Sequence, residues 1–224
     1  MAVSMSMHAV PSAESAHSGL MDQVYRHQRY IYDFTRKYFL LGRDSVIHEL
    51  DLKPGARLVE IGCGTARNLI AIARRYPGTK LFGLDASAEM LATARIKVAR
   101  AGLSDRIILV HGLAENLTPG LFGQDALDHA LFSYSLSMIP DWRQALAAAR
   151  GALSDQGLVH IVDFGDFATL PGQHLLRRWL RIFHVSPREE LLRELEMKSG
   201  KNVLTLLPGR YAFRLSLSKG KTGT

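Results

Sequence analysis

From residue 57 onward the hydrophobic positions fall in short, mostly apolar runs, each followed by a stretch of helical period. Runs at 58–61, 80–84, 106–110, 127–132 and 159–162 read as strands covered on both faces, which have no polar side to alternate with. Helices are predicted between them: 68–76, halted by Pro77-Gly78; one capped by Ser87 and running to Arg100, with Gly102 past its end; and the alanine-rich 142–153. Lys53-Pro54-Gly55 is the turn that delivers the chain into the first strand. This strand–helix rhythm predicts an α/β, Rossmann-like, doubly wound parallel sheet whose ligands gather at the carboxyl ends of its strands.

The flanks differ. Tyr25, Arg29, Tyr32 and Arg36 share one face of a predicted helix that begins near Leu20, and a second helix is expected at 44–50. At the other end, 172–183 reads as a helix with Leu175, Leu176, Trp179 and Leu180 on one side and Arg177, Arg178 and Arg181 on the other. A helix at 187–197 and two strands, 202–207 and 211–217, joined at Pro208-Gly209, complete the pattern. The expected organisation is a flexible tail at 1–20, one domain over 21–219 with an N-terminal helical cap at 21–52, and a short tail at 220–224.

The chemistry concentrates in Arg57 to Asn68, RLVEIGCGTARN. A buried strand meets Gly62 and Gly64 just before a helix, where backbone N–H groups approach a ligand closely and the helix end adds partial positive charge. A dinucleotide fingerprint needs a small residue where Arg67 stands, so the frame is E-x-G-x-G-x-A through Ala66. Glu60 would repel a pyrophosphate yet suits a ligand carrying ammonium and sulfonium charges. The loop therefore resembles motif I of the class I S-adenosylmethionine methyltransferases. Ala66 departs mildly from the third glycine usual there, and Cys63 fills the turn.

At the end of the second strand Asp85 can accept hydrogen bonds from both hydroxyls of a ribose, or cap the following helix. The resemblance implies that Asp85 and Ala86 hold the ribose of S-adenosyl-L-methionine. It places Leu113 and Ala114, in His111-Gly112-Leu113-Ala114-Glu115-Asn116, around adenine through backbone contacts and apolar packing. After the fourth strand comes Phe132-Ser133-Tyr134-Ser135-Leu136-Ser137-Met138-Ile139-Pro140. The Asn/Asp-Pro-Pro-aromatic motif of base methylases is absent there, which argues against nucleic acid as substrate.

The chain has 224 residues, a formal net charge of +7 and a single cysteine. The charge favours anionic surfaces, nucleic acid or acidic membrane, and the lone cysteine excludes an internal disulfide. No signal peptide or spanning segment is evident, so a cytoplasmic location is expected. His8, His17 and His27 are loosely spaced, and His129 and His160 fall on separate strands, so no metal cluster is read.

Taken with YRHQRYIYDFTRKYFLLGRD, SYSLSMIPDWRQAL and VDFGD, the chain resembles a narrower family, the N-methyltransferases of betaine-lipid synthesis, which trimethylate diacylglyceryl-homoserine. That resemblance implies a seven-stranded sheet closed by an antiparallel C-terminal strand, and a lipid substrate taken from an anionic membrane surface. It also implies functional pairing with a 3-amino-3-carboxypropyl transferase that supplies the substrate. In-line methyl transfer needs alignment of a neutral amine and exclusion of water more than a strong nucleophile. Tyr25, Tyr32 and Tyr134 are candidates to face the developing quaternary cation. Arg36 is assigned to the cofactor's methionine carboxylate and Arg29 to the homoserine carboxylate; Ser133 is assigned to the cofactor and Ser137 to the substrate. Solvent, Tyr25, Tyr134 or His111 would take the proton. Other acceptors, a soluble amine or phosphatidylethanolamine, and a non-catalytic cofactor-binding role fit the same residues.

Overall fold

The computed structural model describes residues 42–167, 174–175, 178, 189–199 and 204–219. The five mostly apolar runs are strands: β1 (Arg57–Ile61), β2 (Lys80–Asp85), β3 (Ile107–His111), β4 (Leu127–Ser133) and β5 (Leu153–Phe164). Two more, β6 (Thr205–Leu206) and β7 (Ala212–Ser218), complete a seven-stranded sheet of order β3-β2-β1-β4-β5-β7-β6. Strands β1 to β5 pair in parallel, and β7 runs antiparallel to both β5 and β6. The sheet is the one expected from the sequence, including its reversed closing strand.

Helices cover both faces. On one side lie α1 (Arg43–Glu49), α2 (Arg67–Arg75) and α3 (Ala88–Arg100), with Val46, Leu69, Ile72, Leu91 and Ala94 buried against Leu58, Leu81 and Ile107. On the other lie α4 (Trp142–Gly151) and α5 (Glu189–Ser199), with Trp142, Ala145 and Leu192 buried against Val59, Phe132 and Ile161. The alternation Leu58/Val59 splits the two cores, as successive side chains of a strand must.

The sequence reading starts the fifth strand at 159. In the structure β5 begins at Leu153, and a register shift, from Leu127 opposite Leu153 to His129 opposite Leu158, absorbs the polar residues 154–157. At the opposite end β4 and β5 finish side by side, with Ser133 paired to Val162, so the loops after β1, β2, β3 and β4 converge at one edge. Among the described residues, no helix is long and apolar enough to cross a membrane.

Candidate functional site

The turn after β1 is held by its neighbours on both sides. The N–H groups of Gly62 and Cys63 both donate to the Leu84 carbonyl, at 2.8 and 3.1 Å. From the β4 side, Ser135 Oγ donates to the Ile61 carbonyl at 2.6 Å. Gly62 sits at φ +71°, and a Cβ there would lie 2.5 Å from Ser135 Cβ. A side chain at 62 is therefore excluded by both backbone conformation and space. Gly83 of β2 makes the matching concession below, since a Cβ on it would meet Cys63 Sγ at 2.8 Å. That second glycine gave no sequence signal.

Ala66, where motif I usually has glycine, adopts φ +60° at the cap of α2. The substitution is less mild than one added methyl suggests, because the left-handed region costs a non-glycine residue about 1 kcal/mol. Cys63 is buried in the core beneath the turn, and burial pushes its thiol well up. It also lines the polar groove that runs past the turn.

Asp85 braces the loops on both sides of it. Its Oδ2 accepts from the Gly64 N–H at 2.7 Å and its Oδ1 from the Ser87 N–H at 2.9 Å, while Ser87 Oγ caps Met90 N at 3.3 Å. The carboxylate also lines a cleft with Gly62, Gly64, Ala86, Leu113 and Ala114. Leu113 and Ala114 open a 3₁₀ turn, Ala114–Asn116, that carries Glu115 into the same wall. Asp85 and Leu113 face the cleft from opposite loops, the places from which a nucleoside would be held.

Past Gly62 the cleft continues into a polar groove lined by Arg43, Glu60, Asn68 and Ser133. Asn68 Nδ2 donates to Glu60 Oε1 at 2.6 Å, deep in the protein. Three buried polar atoms here have no hydrogen-bond partner: Arg43 Nε, Asn68 Oδ1 and Ser133 Oγ. The Asp44 carboxylate lies 3.9 Å from Arg43 Nε. Buried polar groups normally find partners, so this end suits a ligand carrying its own charges. The amino-acid part of S-adenosylmethionine would supply them: an ammonium for Glu60 and a carboxylate for Arg43. Arg43 was missed in the sequence, where it falls just before the helix expected at 44–50.

The other expected residues divide. Tyr25, Arg29, Tyr32 and Arg36 lie outside the described residues, as does most of the predicted 172–183 helix; His174, Leu175 and Arg178 of it are helical and exposed. Tyr134 lines the cleft at φ +55°, with its N–H on the Val162 carbonyl at 2.8 Å. Its ring is buried edge-on against Phe164, centroids 4.7 Å apart, so it forms wall rather than an open face for a cation. Ser137 does not serve as expected: its N–H and Oγ both donate to buried Asp163, at 2.8 and 2.7 Å. His111 Nε2 is engaged with the Ala86 carbonyl at 2.9 Å.

His129 and His160, read as separate, are brought together by the pairing of β4 with β5. Their rings stack at 5.3 Å with Nδ1 of His129 3.0 Å from Nε2 of His160, whose Nδ1 meets Ser216 Oγ at 2.9 Å. Burial lowers both pKa values, that of His160 to about 3. Among the described residues no group of three or more His, Cys, Asp or Glu side chains could hold a metal ion.

The sheet order, the glycine turn and the strand-end acid together are those of a Rossmann-like methyltransferase fold. A family described as "Methyltransferase domain" matches residues 58–157. Demethylmenaquinone methyltransferase of Bacillus cytotoxicus is 33% identical over 105 residues, 46% of this chain and 43% of that protein. The enzyme of the same name from Geobacillus kaustophilus is 30% identical over 141 residues, 62% of this chain and 55% of that protein. The chain thus spans about half the length of the curated relatives it matches. Among solved structures, the S-adenosylmethionine-dependent methyltransferase SibL superposes with a TM-score of 0.64 at 21% identity, covering 85% of this chain and 58% of that one. A Haemonchus contortus phosphoethanolamine N-methyltransferase 2, in complex with S-adenosyl-L-methionine, gives 0.60 at 19%, covering 75% and 39%.

Proposed function

We propose that the chain is an S-adenosylmethionine-dependent N-methyltransferase that adds methyl groups successively to the amine of diacylglyceryl-homoserine, yielding the trimethylated betaine lipid. The observation that carries the donor half is the continuous cleft over Gly62, with Asp85 and Leu113 at its nucleoside end and Glu60 and Arg43 at the other. When bound, the cofactor supplies an electrophilic methyl group on a sulfonium. The protein's part is geometric: Asp85 orients the ribose, Glu60 and Arg43 fix the amino-acid tail, and the close-packed Gly62–Ser135 contact excludes water from one side.

The acceptor is read from the residues around 25–44 and 133–140 that resemble the betaine-lipid enzymes. His111 Nε2 is engaged with the Ala86 carbonyl, which leaves solvent, Tyr25 or Tyr134 to take the proton before each transfer in this reading. A 3-amino-3-carboxypropyl transferase would supply the amine-bearing lipid. A second reading, methylation of a demethylmenaquinone-like ring, is favoured by the names of the relatives at 30 and 33% identity.

The test offers the purified chain labelled S-adenosylmethionine with either diacylglyceryl-homoserine or demethylmenaquinone in detergent, and reads products by mass spectrometry. Mono-, di- and trimethylated homoserine lipid is the expected outcome. Label in the quinone alone would replace the first reading by the second, and label in neither would leave only cofactor binding standing.

A further inference from the structure

The groove that begins at Gly62 does not end at Arg43. It runs outward between α2 and α3, where Arg67, Arg74, Lys97 and Arg100 line it with Ile70 and Ala71 among them. Arg67, Arg74 and Arg100 are exposed, and Lys97, half-buried, donates to Thr65 Oγ1 at 3.0 Å. Two carboxylates share the lining: Asp44, 3.7 Å from Arg67, and Glu60, held by Asn68 at the buried end. Cations therefore outnumber acids wherever the groove meets solvent.

We propose that this groove docks the chain on an anionic bilayer by receiving phosphodiester head groups, which sets the mouth of the donor cleft at the membrane surface. The proposal rests on the lipid-acceptor reading above and adds a surface to it. Two observations carry it. The groove shares Gly62 with the donor cleft, so a lipid drawn from the bilayer reaches the methyl group without leaving the interface. Beside its rim, one helical turn before Arg100, Ile96 is 54% exposed, an apolar side chain set among Arg95, Lys97 and Arg100 as on an interfacial surface.

Nucleic acid fits less well. A groove for single strands combines cations with aromatic platforms on which bases stack, and among the described residues no aromatic side chain lines this one.

Flotation with phosphatidylglycerol/phosphatidylcholine vesicles tests the proposal on the full chain. Arg74→Gln/Arg100→Gln removes two groove charges, and Lys53→Gln/Lys80→Gln removes two exposed charges at the strand-entry end of the sheet. The groove variant should bind vesicles about ten- to thirtyfold more weakly than wild type. The control should match wild type, and S-adenosylhomocysteine affinity, read by calorimetry, should be equal in all three. Equal losses in both variants would reduce the effect to net charge and overturn the proposal. So would a wild type that binds S-adenosylhomocysteine but no vesicles, or a groove variant that loses only inorganic phosphate or an RNA oligonucleotide. A wild type that fails to bind S-adenosylhomocysteine overturns the donor reading instead, and vesicle binding then still decides the docking surface.

Discussion

The Gly64 N–H donates to Asp85 Oδ2 at 2.7 Å, so one carboxylate both braces the glycine turn and lines the cleft that the turn shapes. The acid at the end of β2 and the loop after β1 are one unit.

Asp85→Asn separates these roles badly for the protein. With Oδ1 on Ser87 N–H and Oδ2 on Gly64 N–H, an amide must turn its NH₂ toward one of two donors. S-adenosylhomocysteine should bind about ten- to a hundredfold more weakly by calorimetry, a loss of about 1.4 to 2.8 kcal/mol. An unchanged dissociation constant would remove Asp85 from the ribose site.

At Gly62 the constraint is double, and the two parts can be told apart. Gly62→Ala should destabilise the domain by about 2 to 4 kcal/mol in urea unfolding, from the contact with Ser135 Cβ and the positive φ together. In Gly62→Ala/Ser135→Gly the steric part disappears and the backbone part stays, so the double variant should be more stable than the sum of the two single losses. Strict additivity would mean that the β1 and β4 loops do not press on each other.

Arg43 is assigned to the carboxylate of the donor, which predicts ligand-selective behaviour. Arg43→Leu should weaken S-adenosylhomocysteine about tenfold and leave 5′-methylthioadenosine, which lacks the amino-acid tail, within about twofold. Equal losses for both ligands would make Arg43 a packing residue.

The His129–His160 pair predicts an acid limb in stability. Because the folded pKa of His160 is depressed from 6.5 to about 3 by burial, the unfolded chain takes up protons first as pH falls. Stability is thus complete above about pH 6.5 and declines toward pH 3, by about 2 kcal/mol at pH 5. Urea midpoints measured from pH 8 to 4 check it, and His160→Phe should flatten that decline.

Much of this was legible in the sequence because buried parallel strands announce themselves as mostly apolar runs, and because E-x-G-x-G with a later strand-end acid is a local pattern. The β1 and β2 strands, the Ser87 cap and the Gly62 turn follow from neighbouring residues alone. What escaped depends on pairing across the sheet. Gly83 beneath Cys63, the meeting of His129 with His160, and the capture of Ser137 by Asp163 join residues from different strands or loops. Arg43 escaped for a related reason: nothing in its own helix distinguishes a buried arginine from a solvated one.

Asp163 has a consequence for the wall of the cleft. Entirely buried, it accepts from Ser137 N–H, Ser137 Oγ and the Phe164 N–H, fastening the segment after β4 to the end of β5. The conformational entropy of that wall is given up when the chain folds, not when a ligand arrives. The donor thus meets a preassembled cradle, and new acceptors can be accommodated by changing the side chains that face it while its backbone stays fixed.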